Sequence, residues 1–121
     1  MATIDSSLVQ QLRHTNEVAV VIADDQGYIR EVNDRFAADL GFAREEIVGQ
    51  QITRIIPEEM RDAHHMGFGR FLETGRSHIL GQLLQLPVKH GSGPAIQAEI
   101  CIEAWQEHGK WILGATIQPL T

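Results

Sequence analysis

A chain of 121 residues with 43% hydrophobic and 21% charged side chains has the size and balance of one soluble globular domain with a single core, and no apolar run approaches the roughly 20 residues of a membrane span. Sixteen acidic against ten basic residues give a formal charge of −6 with no basic stripe, which argues against nucleic acid as a direct partner. The lone cysteine, Cys101, excludes an internal disulfide framework and suits a reducing cytoplasm, and Met1 to Val9 lack the basic patch and apolar stretch of a signal peptide.

Asp5 to His14 reads as a short helix with a narrow apolar stripe of Leu8, Val9 and Leu12. Val18 to Ala23 is β-branched and apolar and reads as a buried strand. Asp24-Asp25-Gln26-Gly27 supplies turn chemistry, and Tyr28 to Val32 returns as the second strand of a hairpin. Asn33 is placed to cap a helix through Leu40, with Phe36, Ala37 and Leu40 on its apolar face and Gly41 as its stop. Ala43 to Val48 is a further helical turn ended by Gly49. Pro57 opens a longer helix from Glu58 to about Thr74, ended by Gly75. Ile79 to Val88 is a strand candidate, followed by a turn at His90-Gly91-Ser92-Gly93. Ile96, Ala98, Ile100, Ile102 and Ala104 then alternate with Gln97, Glu99, Cys101, Glu103 and Trp105, a period of two that predicts one packed and one more polar face. Glu107-His108-Gly109 turns into a last strand from Lys110 to Gln118. The order is ββ-αααα-βββ, an α+β fold in which hairpins make the sheet antiparallel and the helical middle covers one face, leaving room for a pocket between them.

Asp24 to Gly27, Asn33 with Phe36, and Leu40-Gly41-Phe42 followed by Glu46-Ile47-Val48-Gly49 stand at the spacing of the D-x-x-G, N-x-x-F and L-G-[FY]…E-[IL]-x-G runs of the PAS family, which the chain resembles over residues 15–118. The resemblance implies a five-stranded antiparallel sheet, with residues 1–16 as an N-terminal flanking helix and residues 17–121 as the PAS domain. It also implies a signalling role in a cytoplasmic, bacterial-type pathway, within a longer chain that carries an output domain, and often a homodimer. The fold by itself does not name the signal.

Within the long helix, Met60, His64, Gly67, Phe68 and Phe71 follow the 3.6 period and are expected to face the sheet, with His65 turned about 100° away. A neutral imidazole on an apolar wall is what an axial haem ligand needs, and Gly67 and Gly69 would let a flat ring approach the helix. Pro57, Arg61 and His64 also match the P-x-x-x-R-x-x-H helix of FixL-type and Dos-type haem PAS domains. On that resemblance His64 is the proximal iron ligand of a haem b, used for gas or redox sensing. Arg70 and His78 fall where such domains hold the propionates. Leu84 stands where FixL-type domains carry a distal arginine, so the polar stabilisation of bound oxygen is missing. The other reading is a haem-free domain in which His64 is a core histidine and the module dimerises or docks a partner.

The remaining candidates have plainer readings. Cys101 shares strand parity with Glu99 and Glu103 and lies outside any N-C-R-F-L-Q helix, so it reads as a sheet-surface cysteine rather than a flavin partner. His64, His65, His78 and His90 make no zinc pattern. Asp24 and Asp25 belong to a turn. Ser6, Ser7, Ser77 and Ser92 lack a nucleophile elbow, and no catalytic constellation is expected. Trp105 and Trp111 flank the last hairpin: either Trp105, with or without Trp111, makes the polar-parity face of the sheet sticky, with Leu8, Val9 and Leu12 as its expected cover or a second protomer as its partner, or both are ordinary half-buried tryptophans.

Overall fold

The computed structural model describes residues 6–120, with side chains from Val9 onward. Asp5, the expected first residue of the N-terminal helix, and the side chains of Ser6, Ser7 and Leu8 lie outside the described residues.

Helix α1 (Ser6–His14) is followed by strands β1 (Ala19–Ala23) and β2 (Ile29–Val32). Their connection is built around Asp24. Its Oδ1 accepts from the amides of Gln26 and Tyr28 at 2.9 and 3.0 Å, and its Oδ2 accepts from Arg30 Nε at 2.6 Å. Gly27 takes the left-handed backbone the turn requires, at φ 85°. Burial pushes the Asp24 carboxyl up, but the two amides and the guanidinium together outweigh it and hold it below the ordinary carboxylate value. The D-x-x-G pattern is thus an acceptor, two donors and a left-handed residue in one loop.

Helix α2 (Asp34–Leu40) begins at Asn33 and ends at Gly41, whose φ is 74°. Asn33 satisfies more than the helix: Oδ1 accepts from Phe36 N at 2.9 Å and from Val20 N at 3.0 Å, while Nδ2 donates to the carbonyls of Thr15 and Val18, each at 2.8 Å. Helix α3 (Arg44–Ile47) and a 3-10 turn at Ile52–Ile55 complete the first half of the cover. Residues 49–52 also bond to Gly27 and Ile29, which shields the start of the β2 edge.

The expected helix from Glu58 is broken in two. Glu58–Met60 is a 3-10 turn, and helix α4 runs from Arg61 to Thr74, capped by Gly75 at φ 69°. Arg61 Nε bonds back to the Ile56 carbonyl at 3.1 Å, fixing the point at which the helix starts. The strand expected from Ile79 likewise begins later. Gly81 is left-handed at φ 77° and donates to the Ile102 carbonyl, so the chain bends before β3 (Leu83–Lys89). Strands β4 (Ala95–Glu107) and β5 (Lys110–Pro119) follow.

The five strands are antiparallel throughout, in the order β2-β1-β5-β4-β3. Their inner face packs Val21, Ala98, Ile100 and Ile117 on Phe36, Leu40, Phe42 and Ile47 from the helical side. The tip of the β3–β4 hairpin closes one end of this core. Gly91 donates to the Leu40 carbonyl at 2.7 Å, so tightly that a side chain at Gly91 would collide with the Gly41 carbonyl.

Helix α1 packs on the outer face, where Val9 and Leu12 meet Val20, Ile22, Val18, Ile112 and Trp105. Trp105 is 4% exposed. Trp111 does not share that face. The register pairs Trp105 with Ile112 and Gln106 with Trp111, which puts Trp111 on the inner side, edge-on to Phe71 of α4 at 4.8 Å. Arg13 closes the helix over the sheet: its guanidinium lies 5.9 Å from the Trp105 ring and 2.8 Å from Glu107, whose Oε2 also accepts from Trp105 Nε1. Glu31 stands 3.4 Å from Arg13 Nε, a charge contact without hydrogen-bond geometry. Among the described residues no helix is long and apolar enough to cross a membrane.

Candidate functional site behind α4

Helix α4 presents two different faces. His64, Phe68 and Phe71 are spaced by four and three residues and point at the sheet. His64 and Phe68 bound a cavity of about 100 Å³ whose other walls are Val21 and Ala23 of β1, Gly27, Ile52, Ile102 of β4, and Leu113, Gly114 and Ala115 of β5. Ala63, Gly67, Arg70 and Thr74 form a face about 100° further round. They line a wide open groove of about 990 Å³ together with Arg76, Ser77, His78 and Ile79.

Of the residues expected at one site, the structure therefore brings His64 and Phe68 to the cavity, and Gly67, Arg70 and His78 to the groove. Gly67 is turned away from the sheet; a Cβ there would meet nothing within 4 Å. Met60 sits in the 3-10 turn before the helix and does not line the cavity. Leu84 is half-buried on β3 opposite Ile100, also away from the cavity.

The His64 imidazole stacks on Phe68, with ring centroids 5.7 Å apart and planes at 23°. His65 is edge-on at 5.9 Å, so the two rings do not converge on a common metal position. Among the described residues no group of three or more His, Cys, Asp and Glu side chains is placed to hold a metal ion. His64 Nδ1 is buried and has no hydrogen-bond partner, a shortfall that ordinarily costs about 1–3 kcal/mol. Burial, and to a lesser degree the neighbouring His65, pushes the imidazole below its usual value of 6.5, so the ring is neutral at pH 7.

The sequence model of the PAS domain matches residues 17–114. The chain belongs to the PAS domain family. A protein of Azorhizobium caulinodans described as uncharacterized is 32% identical over 104 residues, which is 85% of this chain and 14% of that protein. Sensor protein FixL of Bradyrhizobium diazoefficiens is 23% identical over 113 residues, 93% of this chain and 22% of FixL. This PAS domain thus spans less than a quarter of either relative. In fold it is similar to the PAS domain of the HTR-like protein from Haloarcula marismortui, with a TM-score of 0.69 at 21% identity over 95% of this chain and 91% of that one.

For a haem the neutral imidazole has suitable donor chemistry, and Arg70 and His78 do lie together. The space does not suit. Small-molecule sites run to about 300–1,000 Å³, and the cavity at His64 is about 100 Å³. A metal-bound histidine almost always anchors its second nitrogen on a carbonyl or carboxylate, and Nδ1 has neither. Arg70 and His78 serve the groove, on another face of the helix. With α4 seated on the sheet in this way, the cavity at His64 is smaller than a haem needs.

The most informative site residue that sequence reasoning missed is Gly114. Its backbone lines the cavity from the inner side, and on the outer side a Cβ would lie 2.9 Å from the Trp105 ring and 3.3 Å from Leu12. A missing side chain leaves no mark in a hydrophobic pattern, so only the three-dimensional contact reveals it. Cys101 faces the outer side as its parity predicts, in a pocket of about 270 Å³ beneath α1 with Glu103. Burial raises both groups, with Glu103 adding to the effect on the thiol.

The lowered His64 value sets a pH dependence. The unfolded chain takes up this proton near pH 6.5 and the folded chain only at lower pH, so stability falls as pH drops below 6.5, the loss levels off once the folded ring is protonated too, and the effect is absent above 6.5. His64→Phe is expected to flatten the loss of stability between pH 7.5 and 5.5, read as urea midpoints at each pH. Identical slopes for the two proteins would show that His64 titrates like an exposed imidazole.

Proposed function

We propose that this chain is the sensing unit of a longer signal-transduction protein, in which a small ligand in the cavity behind α4 changes the setting of β5 and thereby the docking of α1. The observation that carries the reading is Gly114, which is a wall of the cavity on one face of the sheet and the seat of Trp105 and Leu12 on the other. One residue thickness of backbone separates the two sites. A ligand that binds better when β5 is displaced shifts the α1 equilibrium by its difference in affinity for the two settings, and by no more than that. Nothing in this reading asks for catalysis. Its partners are an output domain reached through the flanking segments and a second protomer at the outer face, where Leu83 on the edge strand is 71% exposed beyond the reach of α1.

A packed-core interaction module is the second reading, favoured by how little space the cavity offers. Ala115→Leu separates the two by filling the cavity from β5. Under the sensing reading, amides of residues 9–14 exchange faster in the variant while the β4–β5 ladder keeps its protection. Unchanged exchange in α1 with the cavity filled would favour the interaction module.

A further inference from the structure

The cavity's dimensions and lining speak to what enters it, given the sensing reading above. Val21, Ile102, Leu113 and Ala115 make its walls almost wholly apolar, and Phe68 adds an aromatic side. The polar side chain among them is His64, which has no hydrogen-bond partner among the described residues and whose Nδ1 is buried. A neutral imidazole has one donor nitrogen and one acceptor nitrogen. No cation stands among the lining residues to offset a carboxylate or phosphate, and an unpaired charge in such a place is strongly disfavoured. A cavity of about 100 Å³ is somewhat smaller than an apolar cavity of ~150 Å³ that holds benzene.

We infer that the cavity receives a compact neutral molecule of a few heavy atoms, a short hydrocarbon body carrying one hydroxyl, with the hydroxyl hydrogen-bonded to His64, and that it is not a haem site. A hydroxyl both donates and accepts, so it matches either tautomer of the ring. The apolar body replaces empty space against Val21, Ile102 and Ala115.

The test uses the whole chain with 1-butanol as the ligand, butyrate as the charged counterpart, and haem supplied separately. NMR titration reads the His64 ring nitrogens and the methyls of Ile102 and Ala115. Saturable shifts with 1-butanol are expected, with none from butyrate. His64→Phe should weaken binding about tenfold, the worth of one ordinary hydrogen bond, while His64→Gln, which keeps a donor and an acceptor, should retain most of it. Three results would overturn the inference: no saturable shift with 1-butanol, equal affinity in His64→Phe, or an intense Soret band on adding haem that is lost in His64→Ala. The relay reading fails separately, because it is judged by α1 exchange in Ala115→Leu with no ligand present. A cavity that binds butanol without a relay and a relay that answers to another ligand class give different results.

Discussion

Asn33→Ala is expected to cost about 3 kcal/mol, the sum of a lost helix cap and of buried backbone groups left without partners. For a domain of this size that is a fall in Tm of roughly 12 °C. The expectation rests on four hydrogen bonds made by one side chain. The amide oxygen takes Phe36 N and Val20 N, and the amide nitrogen reaches Thr15 O and Val18 O. Val20 is 2% exposed, so its amide has no water to fall back on. Substitution by Asp separates the two halves of the effect. A carboxylate keeps both acceptor bonds but cannot donate, and it sets a negative charge against two carbonyl oxygens. Asn33→Asp should therefore lie between the native chain and Asn33→Ala. An alanine variant within 1 kcal/mol of the native chain in urea unfolding would mean that the four bonds are replaced at little cost, and that Asn33 is not what ties the start of α2 to β1.

Asn33 also shows why so much of the fold was legible. Its role as a cap, the Asp24 turn and the left-handed Gly41 and Gly75 are each decided within a few residues, by a side chain bonding to nearby backbone or by a glycine where the chain must turn. The alternation along β4 is local too, and it is enough to put Cys101 and Trp105 on the outer face. What the sequence obscured depends on register and volume. Trp111 changed faces because the β4–β5 hairpin turns on His108 and Gly109, pairing Trp105 with Ile112; a slip of one residue there exchanges every side chain between the faces. Gly67 fits the inner-face period of α4 and yet faces the groove, because a glycine satisfies a helical period without adding anything to it. The helical period brings His64 and Phe68 to one wall, whereas the place of Arg70 and His78 on the groove depends on how the chain after Gly75 folds back beside α4, which no local spacing contains. The size of the cavity follows from how closely α4 settles on β5, a long-range packing outcome that no short motif contains.

Trp105→Ala is expected to remove about 3–5 kcal/mol of packing, and to spend that loss on α1 rather than on the sheet. The indole is the floor on which Val9 and Leu12 rest, and it is held in place by Glu107 at 2.8 Å and overlaid by Arg13. The ion pair contributes little by comparison, since partly exposed pairs are worth about 1 kcal/mol or less. Over the described residues helix α1 spans nine, Ser6–His14, fewer than the roughly 12–15 an isolated helix needs to persist in water. Undocking and melting are then one event for this segment. Hydrogen exchange should show residues 9–14 unprotected in Trp105→Ala while the β4–β5 and β1–β5 amides remain slow, and far-UV dichroism should lose about two turns of helix. Arg13→Ala, which leaves the indole in place, should produce only a modest increase in α1 exchange. If Trp105→Ala instead lowers protection uniformly across sheet and helix, α1 is part of one cooperative unit with the core. A helix that cannot come away by itself cannot carry a separate signal, so the same measurement decides whether the outer face can act as a relay.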